Sequence, residues 1–151
     1  MQQLQEQGAK VSIEAVQEGV CELSYMPKSK SDVYETPDVV YDVITSNWGY
    51  LKEEMFDPCP INPDFDGLSI DWHKVNFVNP PYSLLSEFIM AALEEKDKGN
   101  VTIMLLPSKT DQQWFHDLIS KGYEIQWIRG RLKFKGEKWG APQPHFLVMI
   151  K

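Results

Sequence analysis

The chain has 151 residues, 42% of them apolar and 12% aromatic, and carries a net charge of −7. That length and composition describe one globular domain with a core of its own and exclude wholesale disorder and a transmembrane run of about 18 uncharged apolar residues. A pI near 4.9 speaks against a broadly basic protein that coats nucleic acid, so any such function needs a local source of positive charge.

Residues 1–30 are polar and weakly patterned: Leu4, Val11, Ile13, Val16 and Val20 are interrupted by Gly8 and Gly19, which reads as an N-terminal arm before a domain over 31–151. The start, MQQLQEQGAK, lacks the basic residues and apolar stretch of a secretory signal, so the expected compartment is the cytoplasm. Cys21 and Cys59 form neither a disulfide framework nor a metal-ligand spacing, so no metal is expected. Thr36-Pro37 predicts a helix start, with a hydroxyl cap and proline at the first helical position. Val39, Val40, Val43 and Ile44 follow on one face, and Asn47-Trp48-Gly49 ends the run. Glu54 to Asp57 is a short strand candidate, followed by the turn-rich PCPINPDFDG.

Val75 to Val78 is the next strand, stopped by Asn79-Pro80-Pro81 because proline cannot donate to a sheet ladder. Ser83 is placed to cap a helix whose apolar stripe is Leu84, Leu85, Phe88, Ile89, Ala92 and Leu93, finishing near Gly99. Val101 to Leu106 is almost entirely apolar, as expected of a strand buried on both faces. Thr110 and Gln113 have the spacing of a capping box before Trp114, Phe115, Leu118 and Ile119. Tyr123 to Ile128, Leu132 to Lys135 and Phe146 to Ile150 complete the strands. Alternating strands and helices predict a doubly wound α/β sheet, mainly parallel, with an antiparallel C-terminal edge. Ligands of such sheets bind at the carboxyl ends of the strands, which draws attention to Asp57-Pro58-Cys59-Pro60 and Asn79-Pro80-Pro81-Tyr82.

The second of these turns has a chemistry of its own. Two prolines stiffen the backbone, so the Asn79 amide and the Pro80 carbonyl form rigid acceptors with the Tyr82 ring beside them. They make a socket for a planar group bearing an NH₂. Two acceptors on such an amine localise its lone pair as a methyl group arrives, a stabilisation that grows toward the transition state. Tyr82 is placed to stack on a base taken out of its helix. A strand-ending proline turn with a buried tyrosine is the plainer reading.

Six segments in order resemble the phage-type DNA adenine-N6 methyltransferases. They are Tyr34-Glu35-Thr36-Pro37, Asp57-Pro58-Cys59, Gly67-Leu68 with Asp71-Trp72, the Asn79 to Tyr82 tetrad, Leu106-Pro107 through Trp114-Phe115-His116, and Arg129 to Phe134 with Ala141-Pro142 and Pro144. The resemblance runs from about Ser29 to the C-terminus. It implies a Rossmann-like methyltransferase fold, S-adenosylmethionine as methyl donor and adenine in DNA as acceptor. It also implies that Asp57, with Pro58, holds the donor's amino group, that Thr36-Pro37 closes the donor pocket, and that Asp71 approaches the adenosine with Trp72 packed nearby. For both aspartates an ordinary turn role is the alternative. The chain departs from the family in having Gln143, not an aromatic, between Pro142 and Pro144, and in a short stretch from Asp57 to Asn79.

The positive charge is concentrated in residues 129–138, RGRLKFKGEK, which hold five of the 15 lysines and arginines. A strand at Leu132 to Lys135 puts Arg131, Lys133 and Lys135 on one face, where together with Arg129 they meet DNA phosphates; the alternative is a sheet edge blunted by lysines. His116 and His145 carry no assignment at this level. Two rival functions stay open: methylation of another planar NH₂ group, such as cytosine or a glutamine side chain, and a non-catalytic module of the same fold that binds nucleic acid or a partner protein. No membrane partner is expected.

Overall fold

A computed structural model describes residues 34–151. The expected arm over 1–30 lies outside the described residues. The elements are α1 (Asp38–Trp48), β1 (Val75–Val78), α2 (Leu85–Asp97), β2 (Val101–Pro107), α3 (Gln113–Ser120), β3 (Glu124–Trp127) and β4 (His145–Ile150), with 3-10 turns at Lys52–Glu54 and Tyr82–Leu84. Among the described residues no helix is long and apolar enough to cross a membrane.

The four strands form one sheet in the order β1-β2-β4-β3. β1 and β2 are parallel, joined through α2 as a βαβ unit, with Phe77 opposite Ile103. β4 is antiparallel to both β2 and β3. The mainly parallel order and the antiparallel C-terminal edge are therefore corrected. Three strands do run the same way, but the one reversed strand sits inside the sheet, so two of the three pairings are antiparallel. The reason is burial: all six residues of β4 are buried, whereas β3, with Glu124 and Trp127 exposed, tolerates the edge.

Alternate side chains of the central strands point into two cores. Ile103, Leu105, Leu147 and Met149 meet Val40, Val43 and Ile44 of α1 on one face, closed by Ile128, Leu132 and Phe134. Met104, Leu106, Phe146, Val148 and Ile150 meet Phe88, Ile89 and Ala92 of α2 and Phe115 and Leu118 of α3 on the other. The result is an α/β sandwich of three layers, with helices on both faces of the sheet.

Several local expectations are corrected. Glu54 to Asp57 is not a strand; only Phe56 forms a single parallel bridge to Asn76, beside β1. Leu132 to Lys135 makes no ladder beyond one bridge from Lys135 to Glu35, yet its alternation survives, with Leu132 and Phe134 buried and Lys133 and Lys135 exposed. Pro37 stands at the N-cap of α1, one position earlier than expected, and the Thr36 hydroxyl does not cap it. Neither Ser83 nor Thr110 caps a helix: α2 begins at Leu85 and α3 at Gln113, both without a side-chain cap. The helix ends are as expected, with Gly49, Gly99 and Gly122 all at positive φ, where L side chains are strained.

Candidate active site

β1, β2 and β3 run the same way, and β4 runs against them, so the ends of the first three and the start of the fourth share one edge of the sheet. Phe56 runs parallel to β1, so Asp57 leaves at this edge as well. The edge therefore brings together Asp57, the Asn79 to Tyr82 turn and His145, which lie far apart in sequence.

Asn79 follows β1 directly. Its Nδ2 donates to the Tyr34 carbonyl at 2.9 Å and to the Thr36 hydroxyl at 3.1 Å. A carbonyl only accepts, which sets the orientation of the amide: the nitrogen faces Tyr34 and Thr36, and the other end of the amide is the acceptor oxygen. Thr36 is 7% exposed and also meets the Tyr41 hydroxyl, whose pKa is raised first by burial and further by the charge of Asp57. Thr36, Tyr41, Asp57 and Asn79 thus belong to one neighbourhood.

Asp57 is partly buried. Its Oδ1 accepts the Cys59 backbone N–H at 2.8 Å, which shapes the turn. Burial pushes its carboxyl up to about 6, against the single N–H that pulls it down. Pro58 is buried, and a Cβ on Gly67 would lie 1.8 Å from its carbonyl oxygen, so only glycine fits there. The indole of Trp72 fastens the same loop by donating to the Gly67 carbonyl at 2.7 Å. Trp72 itself is buried and stacks toward Phe88, in the core beneath α2. Asp71 is exposed.

Pro80 and Pro81 are buried, and Tyr82 is half-buried. The Tyr82 hydroxyl lies 3.0 Å from Nε2 of His145. Nδ1 of His145 lies 3.1 Å from the Gln143 carbonyl, which can only accept, so Nδ1 carries the ring proton and Nε2 receives the hydrogen bond of Tyr82. Burial pushes His145 down to about 4, and the charge of Arg131 adds to this, so the ring is neutral at physiological pH. Burial, with Tyr34 behind it, pushes the Tyr82 phenol well up, so it too stays protonated. Tyr34, at 5.8 Å from Tyr82 and 5.0 Å from Phe134, completes an aromatic cluster. The sequence reading left His145 unassigned; its position at the head of an all-apolar strand was the available signal.

The basic segment is more engaged than its composition suggests. Arg131 donates to the Pro142 carbonyl at 2.6 Å and to the Ala141 carbonyl at 3.5 Å. Lys135 pairs with Asp38 at 2.8 Å and Glu35 at 3.5 Å, which raises its own pKa and lowers that of Asp38. Arg129 and Lys133 are exposed. Among the described residues no group of three or more histidine, cysteine, aspartate or glutamate side chains is placed to hold a metal ion.

Sequence comparison decides the family. The model of the family described as DNA N-6-adenine-methyltransferase (Dam) matches residues 23–145, spanning the whole site. The chain belongs to the Dam family. Among proteins similar to it is the DNA N-6-adenine-methyltransferase of Escherichia phage T1, 36% identical over 60 residues. That stretch is 40% of this chain and 25% of the phage protein, so the match spans only a quarter of the relative's length. No solved structure matches the chain. Dam-family membership agrees with the resemblance carried by the six motifs, and the match includes the tetrad, Asp57, Thr36 and the basic segment.

Proposed function

We propose that this Dam-family chain transfers a methyl group from S-adenosylmethionine to the N6 amine of adenine in DNA, in the cytoplasm of its host cell, through a Rossmann-like domain over residues 31–151. The observation that carries the reading is the orientation of Asn79. With Nδ2 held by Tyr34 and Thr36, its Oδ1 is directed to accept from an NH₂ group, and an amide turned the other way would select a carbonyl. The Asn79 oxygen and the Pro80 carbonyl draw on the amine hydrogens, Pro81 keeps the turn rigid, and the Tyr82 ring stacks on the flipped base.

Asp57 supplies the test of fit for the donor. A partly buried carboxylate that accepts one backbone N–H, and is pushed toward neutrality by desolvation, gains from an ammonium partner. A groove of about 560 Å³ has Asp38, Tyr41, Asp42, Thr45, Leu51 and Lys52 in its lining, and its link to Asp57 is Tyr41, whose phenol the charge of Asp57 helps to raise. A volume of that size suits a small-molecule ligand. The donor, when bound, supplies a methyl group made electrophilic by a sulfonium. Thr36 and Pro37 are assigned to closing the donor pocket, Pro58 to the Asp57 turn, and Asp71, which is exposed, to the adenosine end. Direct transfer asks of the protein mainly alignment of two reactants, and the rigid turns provide it. Arg129, Arg131, Lys133 and Lys135 are assigned to the DNA side, with Lys133 the phosphate contact least committed elsewhere.

Incubation with unmodified DNA and donor labelled in its methyl group, followed by nucleoside analysis, tests the reading. Label in N6-methyladenine is expected; label in cytosine or in protein, or none at all, overturns it. Asn79→Ala is expected to slow transfer by about 10²–10³, the scale of losing one oriented polar group at a reacting centre, while donor affinity holds within about twofold.

A further inference from the structure

The Tyr82 phenol is held by a residue that no sequence motif identified. His145 opens β4, pairs across the sheet with Pro107 and is 1% exposed. One ring nitrogen is committed to the Gln143 carbonyl at 3.1 Å and the other to the Tyr82 hydroxyl at 3.0 Å. Phe134 meets the His145 ring at 5.3 Å in an edge-on contact, and the Tyr82 ring lies 6.1 Å away at 30°. Each polar atom of the imidazole is therefore used and each neighbouring ring limits its rotation.

We propose that His145 is a positioning residue for the acceptor base: it receives the Tyr82 hydroxyl proton in a hydrogen bond and so fixes the ring on which the base stacks. This deepens the methyl-transfer reading and rests on it for the identity of the base. The physical case is one of rotational freedom. A tyrosine at the end of a two-proline turn keeps its χ torsions, and a stacking platform that tilts loses the alignment on which in-line transfer depends. A bond from the far end of the ring to a buried, immobile acceptor removes that freedom before the base arrives. Gln143 contributes through its backbone: by accepting from Nδ1 it fixes the tautomer that leaves Nε2 able to accept. Every residue offers a backbone carbonyl at position 143, which accommodates the departure from the family's aromatic there.

The full-length protein tests this in two independent ways. Nitrogen-15 NMR of the histidine side chains is expected to show His145 with its proton on Nδ1, and Tyr82→Phe is expected to shift the Nε2 resonance while leaving Nδ1–H in place. An unchanged Nε2 signal, or a proton on Nε2, overturns the pairing whatever the acceptor molecule proves to be. Single-turnover methylation then measures the consequence. His145→Phe, which keeps an aromatic ring but no acceptor, is expected to slow transfer about tenfold with unchanged donor affinity. His145→Gln, which restores an acceptor oxygen, recovers most of the rate. The double variant Tyr82→Phe/His145→Phe is expected to be no slower than the worse single variant, because both remove the same bond. Equal slowing in His145→Phe and His145→Gln, or losses that multiply in the double variant, overturn the positioning role. If wild type methylates no DNA while the NMR signature holds, the function assigned to the site fails and the Tyr82–His145 pair stands.

Discussion

Asn79 and Thr36 stand 43 positions apart in sequence and are joined by one hydrogen bond, from Nδ2 to Oγ1 at 3.1 Å. This bond takes the Thr36 hydroxyl away from the helix cap that its place before Pro37 suggests, and gives it to the residue assigned to the acceptor amine. The Tyr34 carbonyl holds the second amide hydrogen. The chain entering α1 thereby determines which end of the Asn79 amide faces it.

Thr36→Val keeps the shape of the side chain and removes the acceptor. Transfer is expected to slow about tenfold, the cost of one buried hydrogen bond partner, and Thr36→Ser is expected to restore it. Donor affinity, followed by calorimetry, stays within about twofold. A parallel loss of donor affinity in Thr36→Val would return this residue to the donor pocket alone.

Asp57 predicts a trade between stability and function. Its folded-state pKa, about 6, lies above the ordinary value of 3.8, so the folded chain holds a proton that the unfolded chain has released. The sign follows: stability falls as pH rises from about 4 through about 6, and above that the ionised carboxylate costs at most about 3 kcal/mol. Asp57→Asn, which keeps an acceptor for Cys59, is expected to raise the urea midpoint at pH 8 and to leave it nearly unchanged at pH 4. The same variant loses donor binding, and wild-type donor affinity declines below about pH 6 as the carboxylate is neutralised. An equal midpoint for variant and wild type at pH 8 would refute the buried-carboxylate account.

The lysines of the basic segment are not equivalent. Lys135 faces Asp38 and Glu35, which offset its charge, whereas Lys133 is exposed beside buried Leu132 and Phe134. Lys133→Ala is expected to reduce the slope of DNA affinity against salt, on logarithmic axes, by about 1. Lys135→Ala is expected to reduce it less. Arg131→Ala acts differently, by releasing the carbonyls of Ala141 and Pro142. Its main effect is expected on thermal stability. Binding isotherms at four salt concentrations distinguish the three, and identical slopes for Lys133→Ala and wild type would remove Lys133 from the DNA contact.

What the sequence determined by itself is local. The apolar runs at Val75, Val101 and Phe146 became strands, the period of about 3.6 residues became α1, α2 and α3, and glycines at 49, 99 and 122 ended the helices. The tetrad was legible for the same reason, since two prolines restrict their own backbone without help from elsewhere. Tertiary structure decided which partner each residue found. The all-apolar FLVMI was legible as a strand, but that it enters between β2 and β3 and not at the edge depends on pairings 19 to 48 positions away. Polar side chains followed the same rule. Thr36, Arg131 and Lys135 each had a plausible local role and His145 had none assigned; each found a partner distant in sequence or across a turn, and for buried Thr36 and His145 the reason is that a donor or acceptor left unpaired costs more than a local cap returns. That penalty, and not any short motif, placed His145 behind Tyr82 and turned the Asn79 nitrogen toward Tyr34 and Thr36.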